Sequence, residues 1–144
     1  MILQLVAAIC AGLFAGASVY INAVEHPARL SCGPELAVRE FAPSYRRATI
    51  MQAGLAVLGS SAGLIAAWQR SDSRLMVGSL LLLAVVPFTL VVIFPTNKRL
   101  LDPALDPRSD EAIVLLTRWG RLHAVRSLLS LMAFLTFLWR AANG

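Results

Sequence analysis

The chain has 144 residues, 58% of them hydrophobic and 15% charged, against roughly 45–50% and 25% in soluble domains. That balance excludes an ordinary water-soluble fold and points to a membrane. The net charge of +5 does not mark a nucleic-acid surface, because all thirteen basic residues except Arg70, Arg74 and Arg140 fall in or beside two long connections, the distribution of a topology signal.

The first element, residues 1–24, carries no charge at all. It is long enough to span a bilayer, which takes about 20 apolar residues. A secretory leader is the competing reading, but the segment lacks a basic start and its apolar run is too long, so a retained helix is expected. It ends in "YINAVEHPARL", where Asn22, Glu25, His26 and Arg29 stand at i, i+3, i+4 and i+7, one helical face if Pro27 only kinks the backbone. Cys10 and Cys32 are too far apart along the chain for disulfide geometry without a sharp fold-back, so both are expected as free thiols.

The connection "CGPELAVREF" predicts a short amphipathic helix, with Pro34 at its first position and Pro43 after its end. A second charge-free segment, residues 48–69, predicts a helix from about 44 to 68, with Tyr45, Thr49 and Gln52 on one face. "QRSDSR" is a tight link into the third, residues 75–97, expected to end near Pro95. "LDPALDPRSD" is an irregular loop, and Ser109 is suited to cap the last helix. That helix repeats the spacing at Trp119, His123 and Arg126. The expected spans are residues 2–26, 44–68, 75–94 and 118–139 of a single integral membrane domain, an all-α antiparallel four-helix transmembrane bundle. Gly12 and Gly16, and Gly59 and Gly63, have the small-residue spacing that lets membrane helices approach closely, so their faces are candidates for self-association.

Counted back from Trp139, Arg126 lies roughly 20 Å and His123 roughly 24 Å along the helix, inside a hydrocarbon core of about 30 Å. A charge at such depth is expensive unless paired, and ionisable groups gathered there mark functional sites. Arg126 is therefore expected to face the interior and to pair with Glu25 or a bound anion. Asn22, Gln52 and Thr89 bring the other helices into the same layer, and His26 and His123 are expected to line one pocket. Candidate catalytic residues are His26, His123, Arg126 and Glu25, with Asn22, Arg29, Tyr45, Arg46, Gln52, Thr89, Asn97, Trp119 and Arg121 as ligand-binding candidates. The plainer reading of the individual residues is interfacial: Arg29 and Arg46 snorkelling, Trp119 anchoring.

The chemistry open to this set is narrow. No Cys–x–x–Cys, paired-carboxylate or phosphate-loop motif is present. The two histidines suit general acid–base work on a phenolic substrate. They also suit ligation of a metal ion or a haem, with Glu25 as a further donor. A cofactor-free site, a haem and a metal ion all remain open at this point.

"AGASVYINAVEHPARL", "EFAPSYRRATIMQAGLAVL", "PFTLVVIFPTNKRLL" and "LLTRWGRLHAVRSLL" resemble, in order, the anthrone oxygenase-like (DUF1772) membrane proteins, with "PTN" and "WGRLHAVR" the most specific blocks. The resemblance implies a four-helix integral membrane protein; fungal relatives take part in oxidising anthrones to anthraquinones with molecular oxygen. The expected function is a membrane-embedded oxidoreductase of a lipophilic phenol or quinone. The alternative is a non-catalytic protein that binds or moves a small ligand. The expected partners are the lipid bilayer and a lipophilic small molecule. The expected location is a bacterial cytoplasmic membrane, with the long connections on the cytoplasmic side.

Overall fold

The computed structural model describes residues 1–143, among which there is no strand. Four long helices carry the architecture: α1, Ile2–Ser31; α2, Pro34–Arg70; α3, Ser73–Leu100; and α4, Asp110–Ala142. All four are long and apolar enough to cross a membrane, and the chain fits a multi-pass membrane protein. They pack as a ring in which α1 and α3 each touch α2 and α4 while the diagonal pairs barely meet. Short connections between successive helices impose this antiparallel order.

The outer surface is as apolar as the composition requires. Ile9, Leu13, Val57, Ile65, Leu80, Val91, Leu128 and Leu135 are all exposed, a surface far too oily for water and suited to lipid chains. Inside, the small-residue pairs serve contacts within the chain. A methyl group at Gly12 would lie 2.9 Å from Phe134, and one at Gly59 2.7 Å from Cys10. Gly63 sits equally tightly against Ser79 and Phe137, whereas Gly16 faces open space. Cys10 is buried, Cys32 exposed, and both are free.

The three helices that contain proline run further than those prolines suggest. The segment expected as a separate amphipathic helix is helical but continues through Pro43 into α2. Its start is held chiefly by burial of Ala37 and Phe41, against the roughly 3 kcal/mol that an interior proline costs; the exposed Glu35–Arg39 and Glu35–Arg108 ion pairs add little. α1 continues past Pro27 and α3 past Pro95, each by the same device. A wider, π-helical turn precedes the proline, at Ile21–Glu25 in α1 and at Thr89–Ile93 in α3. A proline ring clashes with the carbonyl four residues back. Those carbonyls belong to Ala23 and Val91, and both lie inside a widened turn.

The tight α2–α3 hairpin turns on Ser71, in the left-handed region at φ 49°. Asp72 then caps α3, its carboxylate accepting from the Arg74 and Leu75 amides at 3.0 and 3.2 Å. The same carboxylate pairs with Arg140 at the end of α4, and Arg74 lies 4.2 Å above the Trp139 ring. Hydrogen bonding from Arg140 holds the Asp72 carboxyl below its usual range, overcoming the desolvation that raises it. At the opposite end Ser109 caps α4 by accepting from the Ala112 amide, and Arg99 bridges Asp102 and Glu111.

Two separate apolar clusters fill the bundle. One, around Phe14, Ala56, Leu82, Val85 and Phe137, lies toward the hairpin end. The other, around Ile21, Phe41, Ile93, Leu116 and Trp119, lies toward the loop end. The polar layer separates them.

Candidate functional site

Asn22, on the widened turn of α1, organises the layer. Its amide nitrogen donates to the Gly120 carbonyl of α4 at 3.0 Å, which turns its oxygen toward His123 Nδ1, 2.7 Å away, and the Ser127 hydroxyl, 2.6 Å away. An amide oxygen only accepts, so Nδ1 carries the proton and the neutral His123 ring keeps its lone pair on Nε2. His26 is fixed by the reverse arrangement. Its Nε2 donates to the Leu116 carbonyl at 3.1 Å, leaving a buried Nδ1 without a partner. Close approach of α1 to α4 depends on Gly120, where a methyl group would fall 2.7 Å from His26 Nε2.

Both imidazoles pack on one indole. The Trp119 ring lies 4.7 Å from His123, stacked, and 5.1 Å from His26. Its Nε1 donates to Asn97 at 2.8 Å, and Phe41 meets it edge-on. Trp119 and Asn97 are thus interior groups, 6% and 1% exposed, not an interfacial anchor and its neighbour.

Arg126 occupies the centre of the layer. It donates to Gln52 Oε1 at 2.7 Å and lies 5.4 Å from the Phe14 ring. Its expected partner Glu25 is engaged elsewhere: it accepts from Ser44 at 2.8 Å and pairs with Arg29, which also pairs with Glu40. Among the described residues no carboxylate pairs with Arg126. Arg126 Nε and Gln52 Nε2 are both buried without a hydrogen-bond acceptor.

A small chamber lies where these groups meet, lined by Glu25, Arg29, Tyr45, Gln52, Trp119, His123 and Arg126, among others. Its free space of about 20 Å³ is room for one water molecule. A shallow groove of about 600 Å³ between α1 and α2 shares Glu25 and Ser44 with it. A third space, of about 160 Å³ between α2 and α3, shares Tyr45, Thr49, Gln52 and Arg126.

The structure therefore gathers most of the candidates but corrects several placements. His123 lines the chamber; His26 does not, and stands behind the indole. Asn22 and Asn97 act on the chamber through His123 and Trp119, and Thr89 lines only the α2–α3 space, its hydroxyl bonded to the Val85 carbonyl. Arg46 and Arg121 are exposed and line none of the three spaces, because their helices turn those positions outward. Ser44, Ser127 and Gly120 were not singled out in the sequence. Of these, only Ser127 carried a signal, one turn beyond His123 on the same face.

A metal fits this arrangement poorly: among the described residues no three His, Cys, Asp or Glu side chains come together as a ligand set. A haem ligated by both histidines would have to displace the indole that both rings pack against.

A family model described as anthrone oxygenase matches residues 41–136, which takes in Gln52, Trp119, His123 and Arg126 and leaves the α1 wall outside. No curated protein and no solved structure matches the chain.

Proposed function

From membership in the anthrone oxygenase family, to which this chain belongs, we propose that it is a membrane-embedded oxidoreductase acting on a lipophilic aromatic phenol or quinone precursor. The observation that carries this reading is Arg126, a half-buried cation whose enclosed Nε has no acceptor and which pairs with no carboxylate, beside an amide donor with no acceptor. An unpaired charge at that depth in a membrane span is costly to maintain, and an oxyanion supplied by a substrate would complete it.

The mechanism in this reading needs no resident cofactor. The enol form of an anthrone-like substrate gives its proton to His123 Nε2, the nitrogen left free by the bond to Asn22. Arg126 and Gln52 stabilise the resulting oxyanion in a site of low dielectric, where fixed donors are most effective. The electron-rich ring carbon then meets dioxygen as co-substrate. Oxidation of the CH2 carbon to C=O consumes one O2: one oxygen atom enters the new carbonyl, and the other leaves as water with the two hydrogens. Trp119 and Asn22 hold the histidine; Arg29 and Glu25 close the chamber on the α2 side. The reading also places the end bearing Arg46, Arg47, Arg118 and Arg121 in the cytoplasm, following the positive-inside tendency.

Oxygen uptake by purified protein with anthrone as substrate is the test. Uptake above the spontaneous rate, lost in His123→Ala and Arg126→Gln, is expected. Uptake no faster with protein than without it would end the oxygenase reading.

A further inference from the structure

The polar chamber has room for about one water and none for an aromatic substrate, so the ring system must sit elsewhere. The space between α2 and α3 has the complementary character. It is about 160 Å³, similar to an apolar protein cavity of about 150 Å³ that accepts benzene. Phe14, Ala56, Val86, Leu90 and Phe94 give it apolar walls. Arg126 and Gln52 stand at its inner end, shared with the polar chamber.

Its outer side opens on the lipid face, since Ala53, Leu90 and Phe94 are exposed. Ala53 and Leu90 lie roughly 25 Å along their helices from the Arg70–Ser73 hairpin, within the depth of a hydrocarbon core of about 30 Å. Gln52 is 2% exposed, and its Nε2 has no acceptor. The space thus combines an oily entrance, a ring-sized body and an inner end that lacks only an acceptor oxygen.

We propose that this cleft is a membrane-side binding site for a flat lipophilic aromatic carrying one acceptor oxygen, with the ring between α2 and α3 and the oxygen on Arg126 and Gln52. The ligand enters sideways from the bilayer and never crosses water. The inference rests on the assignment of Arg126 as the oxyanion group in the reading above, and adds where the ring lies and how it arrives.

Binding of tritiated 1-naphthol and naphthalene to the full chain in lipid nanodiscs, corrected for uptake by empty nanodiscs, tests it. Ala53→Trp and Leu90→Trp fill the cleft from opposite helices at lipid-facing positions, and Met51→Trp fills the α1–α2 groove instead. Thermal midpoints identify any variant that fails to fold, and the remaining cleft variant then decides. The cleft variants should raise the 1-naphthol Kd about tenfold or more, with Met51→Trp unchanged. Arg126→Gln should erase the preference for 1-naphthol over naphthalene. No binding above empty nanodiscs, or cleft variants that bind like wild type, would overturn the proposal. Oxygen uptake separates the two ideas. Site-specific naphthol binding without anthrone oxidation sinks the oxygenase and keeps the cleft. Oxidation undiminished in both cleft variants sinks the cleft and keeps the oxygenase.

Discussion

Asn22 Oδ1 accepts from His123 Nδ1 at 2.7 Å, joining α1 to α4 and fixing the histidine tautomer. Asn22→Leu removes that acceptor and strands the His123 donor, while Ser127 keeps only its longer bond to the His123 carbonyl at 3.3 Å and the Gly120 carbonyl keeps its place in the helix ladder. Each buried group left unpaired costs about 1–3 kcal/mol. The thermal midpoint in detergent should fall by several degrees, and oxygen uptake with it. Asn22→Asp keeps both acceptor bonds and should retain more stability than Asn22→Leu; the opposite order would show that the network does not hold the layer together.

Arg126 and Arg140 should respond oppositely to loss of charge. Arg140 pairs with Asp72, which also caps α3, so Arg140→Leu leaves the carboxylate with only its two amide donors and its Oδ2 unpaired, at a cost of about 1–3 kcal/mol. Arg126→Leu removes a half-buried cation that no carboxylate compensates, so its midpoint should stay within a few degrees of wild type while 1-naphthol binding is lost. Residues that serve function commonly show this trade against stability. A larger loss of stability in Arg126→Leu than in Arg140→Leu would assign Arg126 a structural role.

The Asp72 carboxyl is held low in the folded chain, chiefly by Arg140. Its contribution to stability is therefore complete above the unfolded value, about 3.9, and disappears as pH falls through the lower folded value. Thermal midpoints should be flat in this respect from about pH 5 upward and should drop below about pH 4. Asp72→Asn should lower the plateau and flatten the acid drop. Parallel curves for the two proteins would remove Asp72 from the account.

Gly120→Ala would place a methyl group 2.7 Å from His26 Nε2, where overpacking costs about 1–3 kcal/mol. His26→Ala makes room for that methyl. The double variant should therefore be more stable than the sum of the two single losses, as contacting residues are non-additive. Strict additivity in melting measurements would mean that the two helices do not meet there.

Four spans and a polar layer were legible in the sequence because a membrane leaves a strong record: charge-free runs of fixed length, and ionisable groups whose depth needs a reason. Gln52, Trp119, His123 and Arg126 were readable from helical spacing on their own helices. The division of the α1 series was not. Asn22 and His26 meet α4, while Glu25 and Arg29 turn to Ser44 and Glu40 on α2, so Arg126 loses the partner that spacing alone offered it. The first helix continues past Pro27, as the spacing to Arg29 allows, and the stops expected at Pro43 and Pro95 are overrun because proline marks a local penalty and packing decides against it. Arg46 and Arg121 share their neighbours' charge pattern, and only the turn of the helix tells outward from inward.

The widened turns at Ile21–Glu25 and Thr89–Ile93 have a consequence for how such a chain can vary in length. Insertions and deletions are ordinarily confined to surface loops, since one residue added to a straight helix swings everything beyond it by about 100°. A turn that already holds a surplus residue can give it up, or a regular turn can gain one, with the rest of the span left in place. At these two positions single-residue length changes can be absorbed inside the bilayer, and aligned sequences would show gaps there in the middle of a membrane helix.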